Sequence, residues 1–111
     1  MVKLNWTDEA KSCLKNIHDY ITLDNPRAAK NVVAKIREKA QILKLFPEIG
    51  GIYQDIDKEN VRVIYYTHYR IAYLIADPQR IDILAVFYGA MELKNYINDN
   101  KLIAQQINAL D

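Results

Sequence analysis

Three runs rich in β-branched and aromatic residues follow one another in the second half of the chain, and they limit its fold most tightly. They cover Val61–Thr67, Tyr69–Ala76 and Ile81–Tyr88, with only the short stretches "TH" and "DPQR" at their boundaries. Connections this short join antiparallel neighbours, because a parallel pair needs a crossover of about a dozen residues or more. The pattern therefore predicts an antiparallel meander of three strands.

The first half of the chain predicts a short strand and then a helical hairpin. Val2–Trp6 alternates apolar and polar residues, as a half-buried strand does. Thr7 is a candidate N-cap for the first helix, and Asn25 and Pro26 suit the cap and first position of the second. The second helix carries a continuous apolar stripe, which Pro47 ends: Ala29, Val32, Val33, Ile36, Ala40, Leu43 and Phe46.

These elements predict one α+β domain over residues 1–111, in the order β-α-α-β-β-β-α. A small antiparallel or mixed sheet carries the helical hairpin on one face. The stretch "IYQDIDKEN" suits a short strand or a loop. Residues 91–111 are expected to form a C-terminal helical extension, because apolar side chains recur there at helix-like intervals: Leu93, Tyr96, Ile97, Ile103, Ile107 and Leu110.

Charge and composition narrow the classes of function. Fifteen basic and fourteen acidic residues leave a net charge of +1, whereas proteins that bind nucleic-acid phosphates usually carry a basic excess. We therefore expect no direct sequence-specific nucleic-acid binding. Cys13 is the single cysteine and no glycine-rich phosphate loop occurs, so no metal or cofactor is expected. No apolar run approaches the roughly 18 residues of a membrane span, and a cytoplasmic protein is expected.

Two arginines in the predicted strands are candidate functional residues. Arg70 shares a strand face with Ala72 and Leu74, where an unpaired charge would be unfavourable, so it is expected to pair with a carboxylate or with backbone carbonyls. Arg62 opens the preceding strand, where packing does not require a charge, and it is the first candidate for contacting a partner. The second helix has a basic exposed side, typical of a solvated face or of a site for phosphates or an acidic partner: Arg27, Lys30, Lys35, Arg37, Lys39 and Lys44.

Short sequence features in a fixed order give the chain a family resemblance. They run from Trp6-Thr7 and Ala10 through Asn25-Pro26, Ala28-Ala29, Phe46-Pro47 and Gly50, to Val61-Arg62, Tyr69-Arg70-Ile71, Tyr73 and Ile83-Leu84. In this order and spacing the chain resembles toxins of the RelE/ParE superfamily, the toxic partners in type II toxin–antitoxin pairs. The spacing of Val61-Arg62 and Tyr69-Arg70, in which Arg62 stands seven residues before Tyr69, is similar to that of the ParE branch.

The resemblance implies a partner and a target. A cognate antitoxin would bind and neutralise the chain, in systems associated with plasmid stabilisation. ParE-like toxins poison DNA gyrase without known chemistry of their own, whereas RelE-like toxins cleave mRNA on the ribosome. If the chain were such a ribonuclease, Arg62, Arg70 and Tyr96 would form its catalytic set. However, Tyr65 and Met91 stand where the ribonucleases carry arginines, which favours the ParE function.

The resemblance also assigns roles to individual residues. Target- or antitoxin-binding roles are expected for Arg62, Met91, Leu93, Lys94 and Tyr96. Structural roles are expected for Trp6, Pro26, Pro47, Tyr69 and Arg70, because both branches share the Tyr-Arg start of this strand. Tyr88 and Met91 replace the histidine and arginine usual in ParE proteins, so a non-toxic module that only binds the antitoxin is a third hypothesis.

Overall fold

The computed structural model describes residues 2–52 and 60–88, which form two helices packed on a five-stranded sheet. The chain runs through β1 (Lys3–Trp6), α1 (Asp8–Thr22), α2 (Pro26–Ala40) and a 3-10 helix (Gln41–Lys44). It continues with β2 (Gly51–Ile52), β3 (Val61–Tyr66), β4 (Tyr69–Asp77) and β5 (Arg80–Tyr88). The predicted α+β class and mixed sheet are confirmed. The predicted C-terminal helix lies outside the described residues.

The sheet has the strand order β1-β5-β4-β3-β2. The β3, β4 and β5 strands form the predicted antiparallel meander, and Tyr66 pairs with Tyr69 across the two-residue turn at Thr67 and His68. β1 joins β5 in parallel. β2 adds a two-residue edge to β3. It includes Ile52, the first residue of the stretch "IYQDIDKEN" that was expected to form a short strand or a loop, and residues 53–59 of that stretch lie outside the described residues.

The helical hairpin follows the predicted capping signals. The Thr7 hydroxyl accepts the Ala10 N–H at 3.1 Å and donates to the Ile83 carbonyl at 2.7 Å, so the same side chain caps α1 and ties it to β5. The Asn25 side chain accepts the Ala28 N–H at 3.1 Å, and Pro26 is the first residue of α2. Neither α1 nor α2 is long and apolar enough to cross a membrane.

The predicted apolar stripe of the second helix is wrong at its last residue. Ile36, Ala40 and Leu43 are fully buried, but Phe46 is 56% exposed. The reason is that the helical segment ends before Phe46: the 3-10 helix stops at Lys44 and Leu45 is its C-terminal cap. Helical periodicity therefore does not extend to Phe46.

Alternation along the strands separates two faces of the sheet. Arg62 pairs with Tyr73, and Trp6 pairs with Ile83, on the face that carries the helices. The Arg37 guanidinium lies 5.0 Å from the centre of the Trp6 ring on this face. Arg70 pairs with Tyr65 and Phe87 on the opposite face.

Candidate binding site

The segment that joins the 3-10 helix to β2 is held by two side chains of the sheet, Arg62 and Tyr73. The Tyr73 hydroxyl donates to the Pro47 carbonyl at 2.7 Å and accepts the Gly50 N–H at 2.9 Å. One guanidinium nitrogen of Arg62 donates to the carbonyls of Glu48 at 3.1 Å and Gly50 at 2.9 Å. We call this arrangement the loop clamp.

The electrostatics of the loop clamp keep Tyr73 protonated. Burial raises the pKa of the Tyr73 phenol above its usual value of 10.0, and the Glu48 carboxylate also raises it, whereas the Gly50 N–H and the Arg62 guanidinium lower it. The hydroxyl therefore stays a donor at neutral pH. Within the described residues the Nε of Arg62 is buried and has no hydrogen-bond partner. The hydrogen bonds that it makes to the loop there come from one terminal nitrogen.

Gly50 allows the loop to approach the sheet this closely. A Cβ atom there would lie 2.7 Å from the Tyr73 hydroxyl and 2.8 Å from the Val63 carbonyl oxygen. Because real Cβ atoms do not come that close to other atoms, a side chain at this position requires the loop to shift away from β3. The glycine is therefore a requirement of the loop clamp.

The clamped segment forms one wall of a groove beside the β4–β5 turn. Residues 45–49 face Ile75, Asp77, Pro78 and Ile81 across a space of about 810 Å³. We call this space the loop groove. Leu45 is 76% exposed, Phe46 56% and Ile49 53%, so three large apolar side chains lie open to solvent within five residues.

The carboxylates of Glu48 and Asp77 flank the loop groove. The Asp77 carboxylate accepts the Gln79 N–H at 2.7 Å. Within residues 2–52 and 60–88, neither carboxylate forms an ion pair. The loop groove is therefore an apolar surface bordered by two carboxylates that form no ion pair with the described residues.

The other end of the β3–β4 hairpin carries an aromatic cluster. The Arg70 guanidinium lies 5.6 Å from the centre of the Tyr65 ring on one face. The Tyr88 ring lies 5.3 Å from that of Tyr69 and 5.8 Å from that of His68. Among the described residues the contact of Arg70 is with this tyrosine ring, and the expected carboxylate or carbonyl partner stays a prediction.

The structure does not assemble a two-arginine site. Arg62 points to the helix face, where loop carbonyls bind it, whereas Arg70 lies on the opposite face beside Tyr65. Tyr96, the third residue of the possible catalytic set, lies outside the described residues, as do Met91, Leu93 and Lys94. Among the residues that the structure describes, no group of three histidine, cysteine or acidic side chains is placed to hold a metal ion.

Comparison with known proteins identifies the family. Residues 4–93 match the family model described as "ParE toxin of type II toxin-antitoxin system, parDE". The match covers most of the 111-residue chain. The chain belongs to the ParE toxin family.

A solved structure supports the ParE fold. It is described as "Chromosomal ParDE TA system from P. aeruginosa", and the two chains superpose with a TM-score of 0.67 at 24% sequence identity. The match covers 81% of this chain and 98% of the other. At this identity the likeness shows the fold. No curated protein sequence matches the chain.

The ParE motif residues with predicted structural roles occupy defined places in the fold. Trp6 is half-buried beneath Arg37, Pro26 begins α2, and the Pro47 carbonyl is held by Tyr73. Tyr69 is half-buried against Tyr88. Burial raises the pKa of the Tyr69 phenol, and Tyr88 adds to this effect.

Sequence reasoning missed Tyr73 and the loop residues as parts of one site. A tyrosine in a central strand was a usable signal, because a buried hydroxyl requires a hydrogen-bond partner. A second signal was Gly50, since glycine permits a close backbone approach. Nothing local indicated that these two residues meet.

Proposed function

We propose that this ParE-family chain is a toxin that inhibits bacterial growth by poisoning DNA gyrase, and that a cognate antitoxin neutralises it. The family match over residues 4–93 carries this proposal. The toxin acts by binding rather than by catalysing a reaction, and it acts in the cytoplasm, where gyrase and DNA are found.

The placement of the two arginines supports a binding function over RNA cleavage. A phosphoryl-transfer site needs cationic groups that converge on the reacting phosphate. Here Arg62 and Arg70 lie on opposite faces of the sheet, and Arg62 already binds two loop carbonyls. Tyr65, which is 57% exposed, stands at the position where a ribonuclease of this superfamily would carry an arginine.

Purified protein should distinguish gyrase poisoning from RNA cleavage. We expect it to inhibit supercoiling by gyrase and to leave mRNA intact in a translating extract. The variants Arg62→Ala and Arg70→Ala serve as controls in the extract, because both would abolish cleavage by a ribonuclease. Cleaved mRNA in the extract together with unaffected supercoiling would contradict the proposal and support the RelE-like alternative.

The antitoxin is expected to be encoded next to the toxin gene. Adding the purified product of the neighbouring reading frame should restore supercoiling in the gyrase assay. The molar ratio of this product to the toxin at which activity returns should match the ratio of the two proteins in their complex. Expression of the chain without that product should stop growth and cause filamentation. Normal growth combined with tight binding of the neighbouring product would instead indicate a non-toxic, antitoxin-binding module.

A further inference from the structure

The loop groove has the exposure expected of an interaction surface rather than of ordinary protein surface. Exposed apolar side chains are common on protein surfaces, and Leu23 and Tyr20 are examples on the helical hairpin. At the loop groove, however, Leu45, Phe46 and Ile49 are all more than half exposed and border the same space. Contiguous exposed apolar surface of this kind marks binding sites in soluble proteins.

The loop clamp holds these apolar side chains in place before any partner binds. Tyr73 and Arg62 together make four hydrogen bonds to the backbone of residues 47–50. Further backbone bonds run from Leu45 and Phe46 to the Ile42 carbonyl, and from Ile49 to the Phe46 carbonyl. A preformed surface loses little conformational freedom on binding, which favours affinity.

The charge around the loop groove indicates the chemistry of its occupant. Glu48 and Asp77 border it, and neither forms an ion pair with the described residues. A lysine or arginine of a partner would pair with them, whereas nucleic-acid phosphates would be repelled. We propose that the loop groove binds an apolar segment of the antitoxin that carries a lysine or arginine at its flank. This inference rests on the proposed function, since it requires that an antitoxin exists.

The size and charge of the loop groove favour one peptide segment over a second copy of the chain. A space of about 810 Å³ is comparable to pockets that enclose a small ligand, and thus a few side chains. In a twofold-symmetric dimer the same patch lies on both sides of the interface. Such a dimer would bring Glu48 and Asp77 of one copy towards the same carboxylates of the other, which is unfavourable.

Binding of short peptides provides a direct test. Overlapping labelled peptides that cover the product of the neighbouring reading frame are titrated with the protein, and fluorescence anisotropy reports binding. We expect the bound peptides to contain apolar residues next to a lysine or arginine. Leu45→Asp should weaken their binding by about tenfold or more, whereas Leu23→Asp should leave it unchanged. Leu23→Asp is the matched control for Leu45→Asp, because the two leucines are exposed to a similar extent, Leu45 to 76% and Leu23 to 82%.

Charge reversal tests the second half of the inference. Glu48→Lys should weaken binding of the same peptides, while Asp24→Lys, at an exposed position on the helical hairpin, should not. The thermal unfolding midpoint of each variant reports whether it is folded. Because all four side chains are exposed, we expect midpoints close to that of the unchanged protein.

Each outcome bears on a stated proposal. If Leu45→Asp and Leu23→Asp bind the peptides equally, the loop groove inference is overturned while the toxin–antitoxin function stands. If Leu45→Asp keeps peptide binding but loses gyrase inhibition, the groove belongs to the target and the inference is also overturned. If neither the intact neighbouring product nor its peptides bind the unchanged protein, both the antitoxin proposal and this inference fail.

Discussion

The two ends of the β3–β4 hairpin differ in what their polar side chains bind. At one end, Arg62 and Tyr73 are bound to backbone groups of a neighbouring loop. At the turn end, Arg70 lies over the exposed Tyr65 ring, and Tyr88 contacts Tyr69 and His68. Removing a hydrogen-bond partner from a buried group is costly, whereas exposed ring contacts contribute little. We therefore expect the clamp end to control stability.

The largest effect is expected from Gly50→Ala. The new methyl group would collide with the Tyr73 ring and with the Val63 carbonyl oxygen, so the loop must move and the clamp weakens. We expect a loss of about 3 kcal/mol in the free energy of unfolding, measured by urea denaturation. Gly51→Ala is the matched control, because no atom of the described residues lies within 4 Å of a Cβ built there. Equal losses in the two variants would contradict the close approach of the loop.

Tyr73→Phe tests the hydroxyl alone. The ring remains, so no cavity forms, but the buried Gly50 N–H and the Pro47 carbonyl lose their partner. An unsatisfied buried group costs about 1–3 kcal/mol, and we expect a loss of about 2 kcal/mol in urea denaturation. Tyr69→Phe removes a hydroxyl from the same strand at the turn end and should cost less than about 0.5 kcal/mol. A larger loss of stability for Tyr69→Phe than for Tyr73→Phe would mean that the turn end, and not the clamp end, controls stability.

The fold was predictable where its signals are local. Thr7, Asn25 and Pro26 act within one helical turn. The connections at residues 67–68 and 78–79 are so short that the strands they join must be antiparallel neighbours. The loop clamp was not predictable, because Tyr73 and Pro47 are 26 residues apart and their meeting depends on how the loop crosses the sheet. The error at Phe46 has a local cause, since the helical period was extended past Lys44, where the 3-10 helix ends.

The same distinction applies to the candidate site. Arg62 was singled out because packing did not require a charge there, yet two loop carbonyls supply a structural partner. A contact between Arg62 and the target stays a prediction. The loop groove escaped sequence reasoning, because its walls come from residues 45–49 and from the β4–β5 turn.

Arg62→Met should have the next largest effect on stability. It keeps an apolar stem of similar length but removes the donor for the Glu48 and Gly50 carbonyls. Hydrogen bonds from charged groups contribute about 1.5–3 kcal/mol, and since water can reach the exposed Glu48 carbonyl we expect about 1.5 kcal/mol. Arg62→Lys keeps the positive charge but removes the planar guanidinium that donates to both carbonyls, so the same urea titration separates the effect of donor geometry from that of charge. Full retention of stability by the lysine variant would show that charge alone is sufficient.

The raised pKa of Tyr73 predicts a loss of stability at alkaline pH. An unfolded tyrosine ionises near pH 10.0, and burial raises the pKa in the native state. The contribution of the protonated Tyr73 phenol to the free energy of unfolding is therefore fully present below pH 10, and it declines as the pH rises towards the native pKa. Between pH 10 and 11 the loss is at most about 1.4 kcal/mol. The stability of Tyr73→Phe should fall less steeply over this range, and parallel curves would argue against a buried phenol.

Arg70→Met makes the same substitution as Arg62→Met at the other end of the hairpin, and it should have the smallest effect. The contact with Tyr65 lies at the surface, where a cation–π pair contributes about 0.5 kcal/mol. A double-mutant cycle with Tyr65→Leu measures the coupling directly, and we expect a value of that size in urea denaturation. A coupling energy of about 1.5 kcal/mol or more would reach the stability loss expected for Arg62→Met. It would mean that both ends of the hairpin stabilise the fold to a similar extent. The contrast between a clamped loop and an exposed aromatic cluster would then no longer hold.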